Sequence, residues 1–235
     1  MTTLAWIFIC LGIATALAIA VDVSQRPQMM KIMNVTWPIT GLYMPVIGLW
    51  FYWQWGRMPA PSEQEEHQSG HQHGSGDEHG GHGHGEGKPL WQSAFVSATH
   101  CGGGCTLGDF VAAPLAALAG VTIFGSAILG HFVWEFIAAY AFGVLFQYLP
   151  IRSMGDSSPK AALVDAVKAD TLSLVSFQFG MYVWMLIATF AFLGGHMDPF
   201  TARFWFMMQI AMIVGFVTSY PVNGWLVKRG IKHAM

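Results

Sequence analysis

The sequence predicts an all-α polytopic membrane protein, a transmembrane helical bundle of about six spans with one broken or re-entrant segment. Of the 235 residues, 54% are hydrophobic and only 10% are charged, whereas soluble domains carry about 25% charged residues. The 10 Trp, 17 Phe and 14 Met would need a larger core than a soluble chain of this length can build. The lipid bilayer is therefore the expected partner of most of the surface.

Apolar runs locate the predicted spans, because a transmembrane helix needs roughly 20 mostly apolar residues. Runs of this kind lie near residues 4–21, 35–55, 123–149, 171–194 and 200–220. The first run resembles a signal peptide, but no basic residue precedes it and it is about 18 residues long, so we expect a retained helix. The resulting organisation is two N-terminal transmembrane helices over 1–55, a hydrophilic loop over 56–89 and a helical membrane core over 90–235.

Residues 90–121 are the ambiguous region, since two short apolar pieces flank the sequence HCGGGC. Three successive glycines weaken a continuous helix, so we expect a broken helix or a re-entrant hairpin. Irregular backbone is tolerated at membrane depth only where it faces protein or a wet cavity, which favours a site at the break. The alternative is that the glycines allow neighbouring helices to pack closely.

The distribution of Lys and Arg predicts the orientation. If residues 90–121 cross once, the side with both termini holds eight of the 11 basic residues. This indicates that both termini lie in the cytoplasm. A second crossing within 90–121 would reverse the assignment.

The hydrophilic loop 56–89 is rich in Gly, His, Glu and Ser, a composition typical of disorder. Neutral imidazole is the commonest metal ligand, so the loop is a candidate accessory metal-binding tract; a solvated linker of biased composition is the alternative. Its histidines are His67, His71, His73, His79, His82 and His84.

The sharpest candidate site combines His100, Cys101 and Cys105. On a helical turn, positions 101 and 105 share a face, and two thiolates with an imidazole suit Cu(I) or Zn(II). The same cysteines could instead form a disulfide, shuttle electrons or serve packing alone. Asp109, four residues further on, is expected to face the interior because a carboxylate in lipid is costly; a helix N-cap is the plainer interpretation.

His131 and Glu135 lie four residues apart within an apolar run and therefore share one helix face. Ionisable groups at membrane depth are candidates for metal ligation or proton relay, and a structural His–Glu hydrogen bond is the alternative. The predicted metal site, with Cu, Zn or Ni as the ion, comprises His100, Cys101, Cys105, Asp109, His131 and Glu135.

Several function classes are disfavoured. The net charge is -2 and no Lys/Arg cluster is present, so nucleic-acid binding is not expected. We find no phosphate-binding glycine loop and no nucleophile elbow, which argues against ordinary hydrolase or kinase chemistry. A transporter or metal-binding membrane protein is favoured over an enzyme.

Five motifs resemble, in the same order, a bacterial and archaeal integral-membrane family of unknown function, domain of unknown function 4396. These motifs are HCGGGCTLGD, SMGDSSPKAA, ADTLSLVSFQFGMY, FWFMMQIAM and TSYPVN. The resemblance covers about residues 90–235 and includes an HCxxGCxxGD signature. It implies a location in a prokaryotic inner (cytoplasmic) membrane. It implies no activity, but it implies that similar proteins share His100, Cys101, Cys105 and Asp109, which supports a site there.

Three hypotheses follow. The first is a membrane protein that binds and transports or hands over a transition-metal ion, copper ahead of zinc or nickel, driven by an ion or proton gradient because no ATPase motif is present. The second is a membrane redox protein that uses the Cys pair, or haem held by His100 and His131. The third is a structural subunit of a larger membrane complex. Homo-oligomerisation is left open.

Overall fold

The computed structural model describes residues 1–59, 89–154 and 158–232, and all regular structure within them is helical. The predicted all-α class is therefore confirmed. In chain order the elements are α1 (Thr2–Gln25), α2 (Met33–Tyr43), α3 (Ile47–Phe51) continued by a π-helical turn (Tyr52–Gly56), α4 (Leu90–Ala119), α5 (Ala127–Met154), α6 (Pro159–Ala191) and α7 (Ala202–Lys228).

Five of these helices, α1, α4, α5, α6 and α7, are long and apolar enough to cross a membrane. At 1.5 Å per residue each exceeds the roughly 30 Å of a bilayer's hydrocarbon core. Their outward faces carry exposed apolar side chains such as Leu17, Phe190 and Val217. Such a surface is costly in water and favourable in lipid, so the bundle fits a membrane protein.

The predicted span over 35–55 is not one helix but a helical hairpin, formed by α2, α3 and the π-helical turn. The chain reverses at Val46, whose φ of 65° lies in the left-handed region. Trp37 and Tyr52 then stack edge to face across the two arms, with ring centroids 5.5 Å apart. Gln28 joins both ends of the hairpin, since its side-chain amide donates to the Gly56 carbonyl and its backbone N–H donates to Asn34 Oδ1, each at 2.8 Å. The segment therefore enters and leaves the bundle at the same end.

The hairpin tip reaches about halfway along α1. The backbone N–H of Val46 donates to the Thr15 hydroxyl at 3.4 Å, and Thr15 is near the middle of α1. At the mouth of the hairpin, the Arg57 guanidinium pairs with Asp22 at 2.9 Å. Beyond the tip lies an apolar cavity of about 290 Å³, whose lining includes Ile13, Leu42, Tyr43, Phe110, Trp205 and Gln209.

The break expected within 90–121 is absent, because α4 is one continuous helix of 30 residues. The glycines there serve close packing. A Cβ atom on Gly104 would lie 2.8 Å from the Gly143 Cα of α5, and one on Gly108 would overlap the backbone of Ala139. Packing gained at these close approaches offsets the cost of about 1 kcal/mol per helical glycine. The helix-packing alternative thus describes the backbone correctly.

The helices α4 to α7 run antiparallel, each to the one before. Gly104 meets Gly143 across α4 and α5, Tyr140 meets Thr171 across α5 and α6, and Ser176 meets Thr218 across α6 and α7. The first and last helices run in the same direction, since Phe8 near the start of α1 packs on Phe206 near the start of α7.

Met1 and Lys232 consequently lie at opposite ends of the bundle, whereas the prediction places both termini on one side of a membrane. The difference arises because one predicted crossing is a hairpin, which leaves five long helices within the described residues. We call the end where the hairpin opens, marked by Arg57, Leu90 and Lys232, the hairpin end. The other end, marked by Met1 and residues 120–126, is the opposite end.

Candidate functional site

Helix α4 occupies the centre of the bundle and carries the predicted motif on its buried faces. His100, Cys101, Cys105 and Asp109 are each at most 1% exposed. Neighbouring elements surround them because the glycines between them admit close contacts, with Phe177 of α6 beside Gly102 and α5 beside Gly104. The sequence therefore places four chemically active side chains where lipid cannot reach them.

Cys101 and Cys105 are free thiols on successive turns of α4, and the Cys105 thiol lies within interaction range of Cys101. The hydroxyl of Tyr43, at the hairpin tip, lies within electrostatic reach of both sulfurs. Among the described residues this hydroxyl has no hydrogen-bond partner. The predicted common face of the two cysteines is thus present, and the hairpin covers it.

His100 faces a different neighbour. Its ring lies 6.4 Å from the Phe146 ring of α5 and within electrostatic reach of Asp170 and Lys232. Neither ring nitrogen finds a hydrogen-bond partner in the described part of the chain. A buried polar group without a partner costs about 1–3 kcal/mol, so a hydrogen bond with water or a bound ligand at either ring nitrogen would be a gain in free energy.

Two carboxylates follow towards the opposite end. Asp109 accepts from the Gln178 amide of α6 at 3.3 Å to each oxygen. Glu135 Oε1 lies 3.5 Å from His131 Nδ1, longer than a usual hydrogen bond. Neither Glu135 oxygen has a hydrogen-bond partner within the described ranges. His131 and Glu135 therefore share one face of α5, as predicted, but the distance between their facing atoms is too long for a usual hydrogen bond.

A buried ion pair at the hairpin end was not predicted. Lys232 Nζ lies 2.8 Å from Asp170 Oδ1, and both side chains are fully buried. The same ammonium donates to Asn223 Oδ1 at 3.0 Å. Burial opposes the charge on Lys232, but the Asp170 carboxylate outweighs it and raises the lysine pKa above its ordinary value. No spacing pattern links these residues, because they come from the start of α6 and the segment beyond α7.

These side chains form a row through the interior. We call these side chains the interior row. In order from the hairpin end to the opposite end, its members are Lys232, Asp170, His100, Cys101, Cys105, Asp109, Glu135 and His131. The α4–α5 register sets its length. Gly104 faces Gly143 and Gly108 faces Ala139, so His131 faces α4 about sixteen residues beyond His100, roughly 24 Å away along the axis.

The six predicted ligands are therefore not gathered into one coordination sphere. Within residues 1–59, 89–154 and 158–232, no group of three His, Cys, Asp or Glu side chains is placed to hold a metal ion. The separation of His100 from His131 also prevents them from sharing one haem iron. The loop histidines His67, His71, His73, His79, His82 and His84 lie outside the described residues.

The fold and the interior row define a helical protein suited to a bilayer, with ionisable side chains buried along its centre. Residues 90–232 match a family model described as "Domain of unknown function (DUF4396)". Because that match spans more than half of the chain, the protein belongs to this family. The match begins with α4 and ends at Lys232, so it contains the whole interior row. No curated protein and no solved structure matches the chain.

Proposed function

We propose that the protein binds a transition-metal cation at Cys101 and Cys105 and passes it across a prokaryotic inner membrane along the interior row. The observation that carries the proposal is the set of buried polar atoms that lack partners among the described residues. Both nitrogens of His100 and both carboxylate oxygens of Glu135 belong to it. Ionisable groups inside a membrane bundle are costly, and they typically mark an ion or proton path.

The chemistry of the cysteine pair favours copper. Thiolates are soft ligands that select Cu(I) over hard cations, and Cu(I) accepts two sulfur ligands. A protein zinc site takes three or four protein ligands, and the described side chains offer no such group. Copper therefore stays ahead of zinc and nickel as the cargo.

Movement of the ion would use the carboxylates beyond the thiols. Asp109 lies one helical turn past Cys105 on α4, and Glu135 and His131 continue the row on α5. A cation leaving the thiols would meet these negative or neutral ligands in succession, and protons released from them could travel the other way. The proposed energy source is accordingly an ion or proton gradient.

The basic residues favour placing the hairpin end in the cytoplasm. Of the Lys and Arg residues that the structure describes, all except Arg203 belong to the half of the bundle at that end: Arg26, Lys31, Arg57, Arg152, Lys160, Lys168, Lys228, Arg229 and Lys232. Positive residues concentrate on the cytoplasmic side of membrane proteins. Arg57 and Leu90, which flank the histidine-rich segment, also lie there, so that segment would gather ions on the cytoplasmic side.

Copper binding provides the first test. Purified protein loaded with Cu(I) under reducing conditions should hold about one copper per chain more than the Cys101→Ser and Cys105→Ser variants, because the histidine-rich segment would bind the same number of ions in each. Cys10→Ser is the matched control, because Cys10 is exposed on α1. Equal copper content in all four proteins would overturn the proposal.

Transport provides the second test. In proteoliposomes, Glu135→Gln should abolish copper flux while leaving copper bound at the thiols, because the substitution keeps the shape and removes the charge. Flux equal to that of the unmodified protein would remove Glu135 from the path.

A redox role is the second candidate, favoured by the contact between the two free thiols. Residues four apart on a helix have Cα atoms about 6 Å apart, within the range that a disulfide spans, but their Cβ atoms are about 5–6 Å apart, so bond formation would require local movement of the α4 backbone. Oxidation would join the sulfurs and release two protons and two electrons to an acceptor of the quinone class. Mild oxidation of copper-free protein would then remove two free thiols from the chain without forming dimers. Intact thiols would exclude this role and, with absent copper binding, leave a purely structural subunit.

A further inference from the structure

We propose that Asp170, Asn223, Ser97 and Ser173 form a second cation site, selective for a small monovalent cation, which the ammonium group of Lys232 fills in the present conformation. Lys232 would act as a tethered internal cation that an entering ion displaces. The inference rests on the proposed function, because it assigns an entry site for cations at the hairpin end of the interior row.

The donor set supports a hard cation. The Lys232 ammonium lies 2.8 Å from Asp170 Oδ1 and 3.0 Å from Asn223 Oδ1. Asn223 is held in place by its amide nitrogen, which donates to the Ser173 hydroxyl at 2.6 Å. The Ser97 hydroxyl of α4 donates to the same Asn223 oxygen at 3.2 Å. These groups offer a carboxylate, an amide carbonyl and two hydroxyls, all oxygen ligands of the type that hard cations prefer.

The charge balance selects a monovalent ion. One carboxylate, Asp170, faces one ammonium, and exchange of that ammonium for Na⁺ leaves the net charge of the buried site unchanged. A divalent ion would leave an uncompensated positive charge at a buried position, which is costly. The cysteine pair on the same helix presents soft sulfur ligands instead, so the two sites differ in ligand class.

The Lys232 ammonium leaves polar atoms at and beside the proposed site without hydrogen-bond partners among the described residues. Asp170 Oδ2 and both ring nitrogens of His100 are buried and have no hydrogen-bond partner in the described part of the chain. Gly143 of α5 packs beside this oxygen: a Cβ atom there would lie 3.4 Å from Asp170 Oδ2, an ordinary contact distance, and 2.5 Å from Leu174 Cδ1. The amine of Lys232 therefore satisfies one side of the carboxylate and leaves the other available.

The position of Lys232 lets its side chain withdraw without unfolding a helix. It follows the end of α7 at Lys228, beyond Gly230, whose φ of 67° marks the reversal of the chain. The backbone N–H groups of Ile231 and Lys232 both point to the Leu226 carbonyl, at 3.1 and 3.4 Å. A rotation at Gly230 would carry the ammonium out of the bundle and expose Asp170 at the cytoplasmic face.

Chemical labelling of lysines in the full-length purified protein tests the exchange. Brief acetylation with an N-hydroxysuccinimide ester is followed by mass spectrometry, in choline chloride and with Na⁺ replacing choline at constant ionic strength. Lys160 is the internal control because it is exposed at the start of α6. Lys232 should react much more slowly than Lys160 in choline and severalfold faster at saturating Na⁺, with Lys160 unchanged. Protection of Lys232 that is independent of Na⁺ would overturn the proposal, as would release by Mg²⁺ alone.

Two variants test which side chains bind the cation. Asp170→Asn should make Lys232 reactive in choline and remove the Na⁺ response. Ser97→Ala keeps the ion pair, so it should leave the rate in choline unchanged and raise the Na⁺ concentration that gives half the effect; an unchanged Na⁺ midpoint would overturn this ligand set. Copper content at the thiols is measured separately. A Na⁺ response without copper binding overturns only the proposed function, and copper binding without a Na⁺ response overturns only this inference.

Discussion

The Gln178 amide of α6 donates to both carboxylate oxygens of Asp109 on α4, at 3.3 Å each, in the interior of the bundle. The two residues are 69 positions apart in the chain, so the contact joins two helices that are not neighbours in sequence. It also fixes a carboxylate midway along the interior row. A buried acceptor that loses its donor costs about 1–3 kcal/mol, so this contact constrains the position of α6.

Replacing Gln178 with Leu should destabilise the protein by about 1–3 kcal/mol, because the Asp109 carboxylate loses its donor while remaining buried. Thermal unfolding in detergent measures the change. Gln147→Leu is the matched control, since Gln147 is also buried but its amide oxygen lacks a partner among the described residues. Equal stability of the two variants would show that the Asp109 contact contributes nothing.

Gly104→Ala should lower the unfolding temperature, because its new methyl group would meet the α5 backbone at Gly143. Inserting a methylene into a packed core costs about 1–3 kcal/mol. Gly224→Ala is the control, since its nearest neighbour, the Ala94 Cβ, would lie at an ordinary 3.6 Å; alanine's higher helix propensity should keep that variant as stable as the parent. A tolerated Gly104→Ala would contradict the close approach of α4 and α5.

Lys232→Met should cost about 3–5 kcal/mol by leaving the buried Asp170 charge unpaired. The double variant Asp170→Leu with Lys232→Met should recover most of the loss, since an apolar pair removes the uncompensated charge. Arg57→Met, which breaks a partly exposed pair with Asp22, should cost no more than about 1 kcal/mol. A double-mutant cycle on unfolding free energies gives the coupling, and a coupling near zero would show that Lys232 is not bound at Asp170.

Reporter fusions should place the two ends of the chain on opposite sides of the membrane. A fluorescent protein fused after residue 235 should fold and fluoresce in the cytoplasm, whereas alkaline phosphatase inserted within residues 120–126 should be active outside it. Phosphatase fused before Met1 should be active as well, because the N-terminus shares the end of the loop 120–126. Cytoplasmic reporters at both termini would restore the arrangement of six crossings.

The sequence predicted the helical class and the positions of most long helices, because runs of about 20 apolar residues are a direct signature of length and hydropathy. It did not distinguish a crossing from a hairpin at 35–55. A crossing and a hairpin have the same apolar composition. The distinction depends on a backbone reversal at Val46, and a valine gives no signal in the sequence for a positive φ. Glycine propensity misled the interpretation of α4, since propensity describes an isolated helix and these glycines contact neighbouring backbones.

The site was foreseen where its residues share one helix face and missed where they do not. Spacing of four predicted the contact between Cys101 and Cys105 and that between His131 and Glu135. The alignment of these pairs along one row depends on the register between α4 and α5, which no local pattern encodes. Lys232 also looked like an ordinary basic residue after a final helix, and its partner Asp170 lies 62 positions away.

The hairpin that stops beside Thr15 gives the two leaflets of a bilayer unequal roles. The leaflet at the hairpin end would meet protein on that flank, whereas acyl chains of the other leaflet would complete the wall beyond the tip, where the cavity lined by Leu42 and Tyr43 begins. Tyr43 lines this cavity and also lies near the thiols of α4. The length and packing of the lipids in that leaflet would thereby become structural variables for the thiol site, as much as any side chain in the bundle.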